Sequence, residues 1–209
     1  METRIVFSIT GDRWRLESDT EGVKGLASFL RVSSREVGTG TWQEDRFIPE
    51  TFLHAARAAG QDRGWSADFD WQSGQVMTRH EEGESVLPLI ADTWDPVSLG
   101  LVLRQRLQAG DGDWEMFVVD EDEIDAHRYQ PTESEPLQTR LGCLEVVRVD
   151  RIREKKTRYS SGWYARDLDF IPVRLQHGKQ GGREFNMHIR ELVYDGQPMA
   201  AFSDCPDTD

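Results

Sequence analysis

The chain has 209 residues and a mass of 24.0 kDa, with 37% hydrophobic and 30% charged side chains, so it can bury a substantial apolar core in one domain without relying on disulfide staples. Its 25 basic and 38 acidic side chains leave a net charge of −13, which argues against general adhesion to phosphate backbones or anionic lipid and points to neutral, cationic or apolar partners. No apolar run approaches the roughly 18 residues of a membrane span, and Met1-Glu2-Thr3-Arg4 has neither the charge nor the apolar stretch of a leader.

Period-two alternation dominates, broken by turn residues. Ile5, Phe7 and Ile9 alternate with Val6 and Ser8, and Gly11-Asp12 turns the chain into Trp14 and Leu16, predicting a hairpin. Val23, Leu26, Ala27 and Leu30 then recur at helical spacing, predicting a short helix between Glu21 and Arg31. Trp65, Ala67, Phe69 and Trp71 alternate with Ser66, Asp68 and Asp70, and Gln72-Ser73-Gly74 leads into Val76 and Thr78, a second hairpin. Asp95-Pro96 places a capping carboxylate before a proline, and Leu99, Val102, Leu103 and Leu107 recur at helical spacing until Gly110. Alternation resumes at Trp114, Met116 and Val118, at Tyr159, Ser161 and Trp163, at Val173 and Leu175, and at Phe185, Met187 and Ile189. The class is mainly β, an antiparallel sheet with one or two packed helices, and the absence of βαβ alternation excludes a parallel nucleotide-binding sheet. No repeat or linker divides the chain, so a single domain over 1–209 is expected, with a polar, frayed tail over 196–209.

Cys143 and Cys205 lie 62 positions apart with no CxxC pair. A reduced, buried Cys143 is the ordinary reading; a bond to Cys205 requires an oxidising compartment and a tail that folds back.

Several stretches together resemble one known family: Arg15-Leu16-Glu17-Ser18 with Gly25-Leu26-Ala27, Phe47-Ile48-Pro49, Phe69-Asp70-Trp71, Asp95-Pro96-Val97-Ser98-Leu99, Leu137 to Gly142, and Trp163-Tyr164-Ala165 with Ile171-Pro172-Val173-Arg174. In that order, from about Glu2 to Tyr194, they resemble the exported bacterial family of domain of unknown function 3108, similar in fold to LolA-like lipoprotein carriers. The resemblance implies a curved antiparallel sheet, a half-barrel, wrapped around helical segments, and a periplasmic location. The family normally opens with a leader and a further strand that would directly precede Glu2. Without them the resemblance implies a strand, Arg4 to Thr10, with an unpaired edge open to aggregation or to pairing with another copy. Cys143 falls where the family carries a larger apolar side chain. The family brings no catalytic residues.

Candidate chemistry is sparse. Asp68 and Asp70 share a strand face and could in principle divide into acid and base, as in a hydrolase of cell-wall sugars, but an alternating strand requires polar residues there in any case. His177 and His188 could approach across a hairpin turned at residues 178–182, with Glu184 beside His188; no zinc signature accompanies them, and an exposed pair is the simpler reading. The other histidines, His54, His80 and His127, form no pattern. No nucleophile elbow or phosphate-binding loop is present. The acidic run Asp120 to Glu123 with Asp125 lacks the spacing of a calcium loop. No metal, cofactor or catalytic residue is therefore assigned.

Two groups remain. Arg148, Arg151, Arg153, Lys155, Lys156 and Arg158 concentrate positive charge between two strands, and Arg151, Arg153 and Lys155 are the candidate contacts for an acidic partner or an anionic headgroup. Trp65, Phe69, Trp71, Tyr159 and Trp163 lie on strands that the resemblance wraps into a concave sheet, where they either fill the core or line a cleft for an apolar ligand or a lipidated partner. The expectation is a non-enzymatic envelope protein holding such a ligand, with a filled-core interaction module as the alternative and the sugar hydrolase last; no nucleic acid or membrane span is expected, and oligomeric state is left open.

Overall fold

A computed structural model describes residues 1–110, 112–154, 157–182 and 184–206, apart from the side chain of Leu26. The strands are β1 (Glu2–Thr10), β2 (Arg13–Glu21), β3 (Ser33–Gln43), β4 (Arg46–Ala58), β5 (Gln61–Asp70), β6 (Gln75–His80), β7 (Gly83–Pro88), β8 (Thr93–Trp94), β9 (Trp114–Asp120), β10 (Glu123–Thr139), β11 (Gly142–Ile152), β12 (Arg158–Ala165), β13 (Ile171–Lys179), β14 (Glu184–His188), β15 (Val193–Tyr194) and β16 (Gln197–Pro198). The helices are α1 (Gly25–Phe29) and α2 (Leu99–Ala109). One seven-stranded sheet runs β1 to β7 in chain order, a second runs β14 to β8, and β15 pairs with β16. The fold is mainly β and antiparallel, with β8 and β9 a parallel pair, and one sheet is curled into a half-barrel.

Two compact units are present, Met1–Val102 with Met116–Ala126, and Leu103–Glu115 with His127–Asp209. In the first, the meander is turned by left-handed pairs that match strand twist, Glu44–Asp45 and Ala59–Gly60, all four residues at positive φ. Trp14 is wholly buried and its Nε1 donates to the Thr41 carbonyl at 2.9 Å; Phe47 meets Phe7 and Trp14 edge-on. Room for that ring is made by Gly40, where a Cβ would fall 1.9 Å from the Ile48 carbonyl and 2.7 Å from the Trp14 indole. A second cluster packs Phe52, Trp65, Ala67, Phe69, Val76 and Val119, with Val97 and Ile124 against it.

The two helices fare differently. Behind the expected Asp95 cap a turn over 96–98 leads into α2 at Leu99, three residues after the expected first position Pro96: Asp95 Oδ1 accepts from the amides of Val97 and Ser98 at 3.1 and 2.9 Å, Leu101, Val102, Leu103 and Leu107 are buried, and Gly110 ends the helix at φ 75°. The short helix expected between Glu21 and Arg31 is present as the five-residue α1, Gly25–Phe29, shorter than the apolar spacing suggests because β2 persists through Glu21. Gly25, the first residue of α1, is left-handed at φ 62°, and Gly22 lies against the Ala27 backbone, so the segment closes as a tight connection.

In the second unit, Leu141, Leu144, Val146, Trp163, Ala165, Leu168 and Val173 form a core onto which Ile189, Leu192, Met199 and Phe202 pack. Within the tail expected to fray, residues 199–205 are therefore docked. Phe202 N donates to the Leu141 carbonyl, Cys143 N to Ser203, and Cys205 N to Gln138 Oε1, at 2.6, 2.7 and 2.8 Å. A disulfide joins Cys143 to Cys205, correcting the reduced thiol. The tail folds back because its apolar residues complete a core that β11 and β12 leave open.

Candidate functional site

The aromatic residues proposed to line a cleft occur in both units. In the first, Trp65 and Phe69 are buried in the core, Trp65 against Phe52 with centroids 4.7 Å apart. Trp71, just past β5, stacks beside Phe69, donates from Nε1 to the Pro49 carbonyl at 2.7 Å, and keeps 38% of its surface exposed. In the second, Trp163 is buried, with the Arg174 guanidinium 4.3 Å and that of Arg148 5.8 Å from its ring, and its Nε1 donates to Glu135. Tyr159 is half-buried and donates from its hydroxyl to Glu184. Three of these rings are thus packed or capped, while Trp71 and Tyr159 keep open surface.

What fills the first sheet was not legible as a site. The turn into α2 presses on β3 at Gly38, where a Cβ would lie 2.4 Å from Ser98 Oγ, 3.1 Å from Val97 and 3.2 Å from Asp95 Oδ1. Asp95 and Ser98 are wholly buried there, and Asp95 Oδ2 makes no hydrogen bond. Burial pushes the Asp95 carboxyl up to about 6, against the pull of the Ser98 hydroxyl and the Ser98 and Val97 amides. Gly38, set between Val37 and Thr39 within β3, was the available signal for this close approach.

The basic hairpin places Arg151 opposite Tyr129 across β10 and β11. His127 and Tyr129 are both buried, His127 Nδ1 lying 3.1 Å from the Tyr129 hydroxyl. Burial, with the positive fields of Arg151 and Arg153, lowers the His127 pKa to about 3; burial raises Tyr129 to about 12. Arg153 donates to Ser160 Oγ at 3.3 Å, and its buried Nε has no partner. Both arginines are half-buried rather than extended from a protruding tip, and Lys155 and Lys156 lie outside the described residues. Arg148 is engaged by Asp150 through two bonds.

Asp68 is held by Arg79, and Asp70 Oδ1 accepts from the Gln72 and Ser73 amides, with the Ser73 amide foremost in keeping its carboxyl below the usual range. His177 and His188 do not meet: His177 stacks on Phe185, while His188 stands opposite Arg174 on the other face of the sheet. Glu184 is taken up by Tyr159 and Gln176. The acidic run turns β9 into β10 at Glu121 and Asp122, both exposed. Among the described residues no group of three or more His, Cys, Asp or Glu is placed to hold a metal ion.

Two shallow surface grooves are present. One, of about 320 Å³, crosses β2 to β5 beside Arg35, Arg57 and Arg63; the other, of about 350 Å³, lies beside Glu115, Arg128 and Ile152. Neither is lined by the five aromatic candidates. Among the described residues the edge strand β1 pairs only with β2, so one side of its backbone ladder is open there. Ile5, Val6 and Ile9 keep 49, 41 and 46% of their surface exposed.

A family model described as "Protein of unknown function (DUF3108)" matches residues 1–190. Among curated proteins none matches. Among solved structures, a β-barrel-like protein of the DUF1849 family from Brucella abortus is similar with a TM-score of 0.56 and 12% identity, the match covering 92% of this chain and 88% of that one. A DUF1089 family protein from Pseudomonas aeruginosa, also 12% identical, matches over 83% of this chain and 88% of its own with a TM-score of 0.46. At this identity the first likeness speaks to the fold alone.

Proposed function

From the premise that this chain belongs to DUF3108, a family of unknown function, we propose a non-enzymatic binding protein of the cell envelope that works through its surface, accepting an extended segment of another polypeptide along β1. The observation that carries this reading is the open ladder of β1 with apolar side chains exposed on both of its faces, the arrangement that strand addition uses. The packed state of Trp65 and Phe69, and the turn at Asp95–Ser98 seated on Gly38, support a surface over a hollow as the working part. The engagement of Asp68 by Arg79 and of Asp70 by its own turn supports a binding role over sugar hydrolysis. The Cys143–Cys205 disulfide supports an oxidising, extracytoplasmic compartment.

The test is photocrosslinking in cells from a reactive residue at Val6, with one at Leu53 as the control. Adducts at Val6 that disappear on adding Ile5→Lys and Ile9→Lys are expected; adducts equal at both positions would sink the reading. Titration with a fluorescent fatty-acid analogue is expected to show no saturable binding. Stoichiometric binding lost on Trp71→Ala would replace the surface reading with that of an apolar ligand.

A further inference from the structure

The antiparallel meander brings the β2–β3 connection, residues 22–32, and the β4–β5 turn, residues 59–60, to the same end of the first sheet. They are bonded there, Ala59 N donating to the Leu30 carbonyl at 2.9 Å. The longer connection is closed on itself by Gly22 N to Val32 and Val32 N to Ala27, at 2.8 and 2.9 Å. It is a fixed projection rather than a loose loop. On it, Phe29 is 81% exposed, more than any other large apolar side chain among the described residues, and Val23 is 39% exposed.

The charges around Phe29 are arranged in layers. Lys24 and Arg31 belong to the connection itself, are exposed, and have no ion-pair partner among the described residues. The acids of this end lie one layer back, in the last rung of the sheet: Glu21 stands opposite Glu2 and Ser33, and Asp62 is paired with Arg57 at 3.2 Å. The acidic turn Glu81–Glu82 is set back further, because Ser66 stands opposite Arg79 and His80 opposite Gly83, so the turn reaches only about the level of Gly64 and residues 61–63 run past it, roughly 10 Å at 3.3 Å per residue. That exceeds the roughly 8 Å over which charge is felt in physiological salt. Lys24 and Arg31 are therefore the outermost charges of this end of the first sheet, positive on a chain of net −13, and favour its approach to an anionic surface.

We propose that this end is a membrane-docking tip: Phe29 enters the headgroup–acyl boundary of an anionic leaflet while Lys24 and Arg31 meet its phosphates. An aromatic ring with flanking cations is what an interfacial anchor requires, the ring supplying burial and the cations attraction. A protein partner would need roughly 800 Å² of complementary surface on this side, whereas a fluid interface takes a single projecting ring. The anchor is weak and reversible, as one ring and two cations imply.

Co-sedimentation of the full chain with vesicles of phosphatidylethanolamine and phosphatidylglycerol, against vesicles of phosphatidylcholine alone, tests this. Binding to the anionic vesicles only, weakened by salt, is expected. Phe29→Ser should lower it about tenfold or more, and Lys24→Glu or Arg31→Glu about fivefold each, whereas Leu53→Ser, exposed elsewhere, should leave it unchanged. A Phe29→Trp variant should shift its emission to the blue with anionic vesicles and be quenched by brominated acyl chains. No vesicle binding, binding indifferent to Phe29→Ser, or capture of polyglutamate in place of vesicles would overturn the proposal, the last in favour of an acidic protein partner.

Discussion

Asp95 has two incompatible duties, because its carboxylate caps α2 and yet is wholly buried with one oxygen unbonded. Its folded pKa, about 6, lies above the unfolded value, so the neutral form favours folding. That contribution is complete below about pH 4 and is lost as pH rises through 6, about 3 kcal/mol in all. Asp95→Asn keeps the acceptor for the cap and can donate to Ser98. Urea denaturation should show it about as stable as the parent at pH 4 and more stable by about 2 kcal/mol at pH 8; a variant less stable at pH 8 would contradict this. His127 has the opposite sign, its pKa held far below the unfolded value chiefly by burial, then by Arg151 and Arg153. Its stability is present above about pH 6.5 and drains as pH falls. Between pH 7 and pH 5 the parent should lose about 1 to 2 kcal/mol that His127→Gln does not.

Among the elements, the hairpins at Gly11–Asp12 and after Asp70 and the helix behind Asp95 were legible because alternation, turn residues and a capping carboxylate agree locally. β3 and β4 were not. They are joined at Glu44–Asp45 with no glycine or proline, and Gly38 and Gly40, which weaken the strand signal of β3, are there to admit the α2 turn and the Trp14 ring. Gly40→Ala should therefore cost about 2 kcal/mol or more by overpacking, visible as a lower urea midpoint. The docked tail was missed because its composition is polar and its partners, Leu141 and Cys143, lie some 60 positions away. Replacing Cys143 and Cys205 with Ser releases a 62-residue loop closure and should destabilise by about 4 kcal/mol. Amide exchange should then quicken at residues 199–205 first; unchanged exchange there would show that packing alone holds the strap.

For the whole molecule, alternation along the chain read the fold class correctly, whereas net charge describes the surface only in sum. A net charge of −13 describes the average surface and conceals the positive end at Lys24 and Arg31, since a total carries no information on placement. Self-repulsion of that total should make the protein more heat-stable as salt rises from low to physiological strength, by about 2 °C in scanning calorimetry. The five aromatic candidates were recognisable as strand residues, yet whether a ring packs or stays open is decided by its neighbours across the sheet. Trp163 is covered by Arg174 and Trp65 by Phe52, contacts that no local spacing encodes.

The sulfur bridge also makes residues 143–205 a covalent ring. A protease that nicks the exposed turn at Arg166–Asp167 would leave both halves on one molecule, migrating as a single band until a thiol is added to the gel sample. Damage at that turn, in an oxidising medium, would sever the backbone without releasing a fragment.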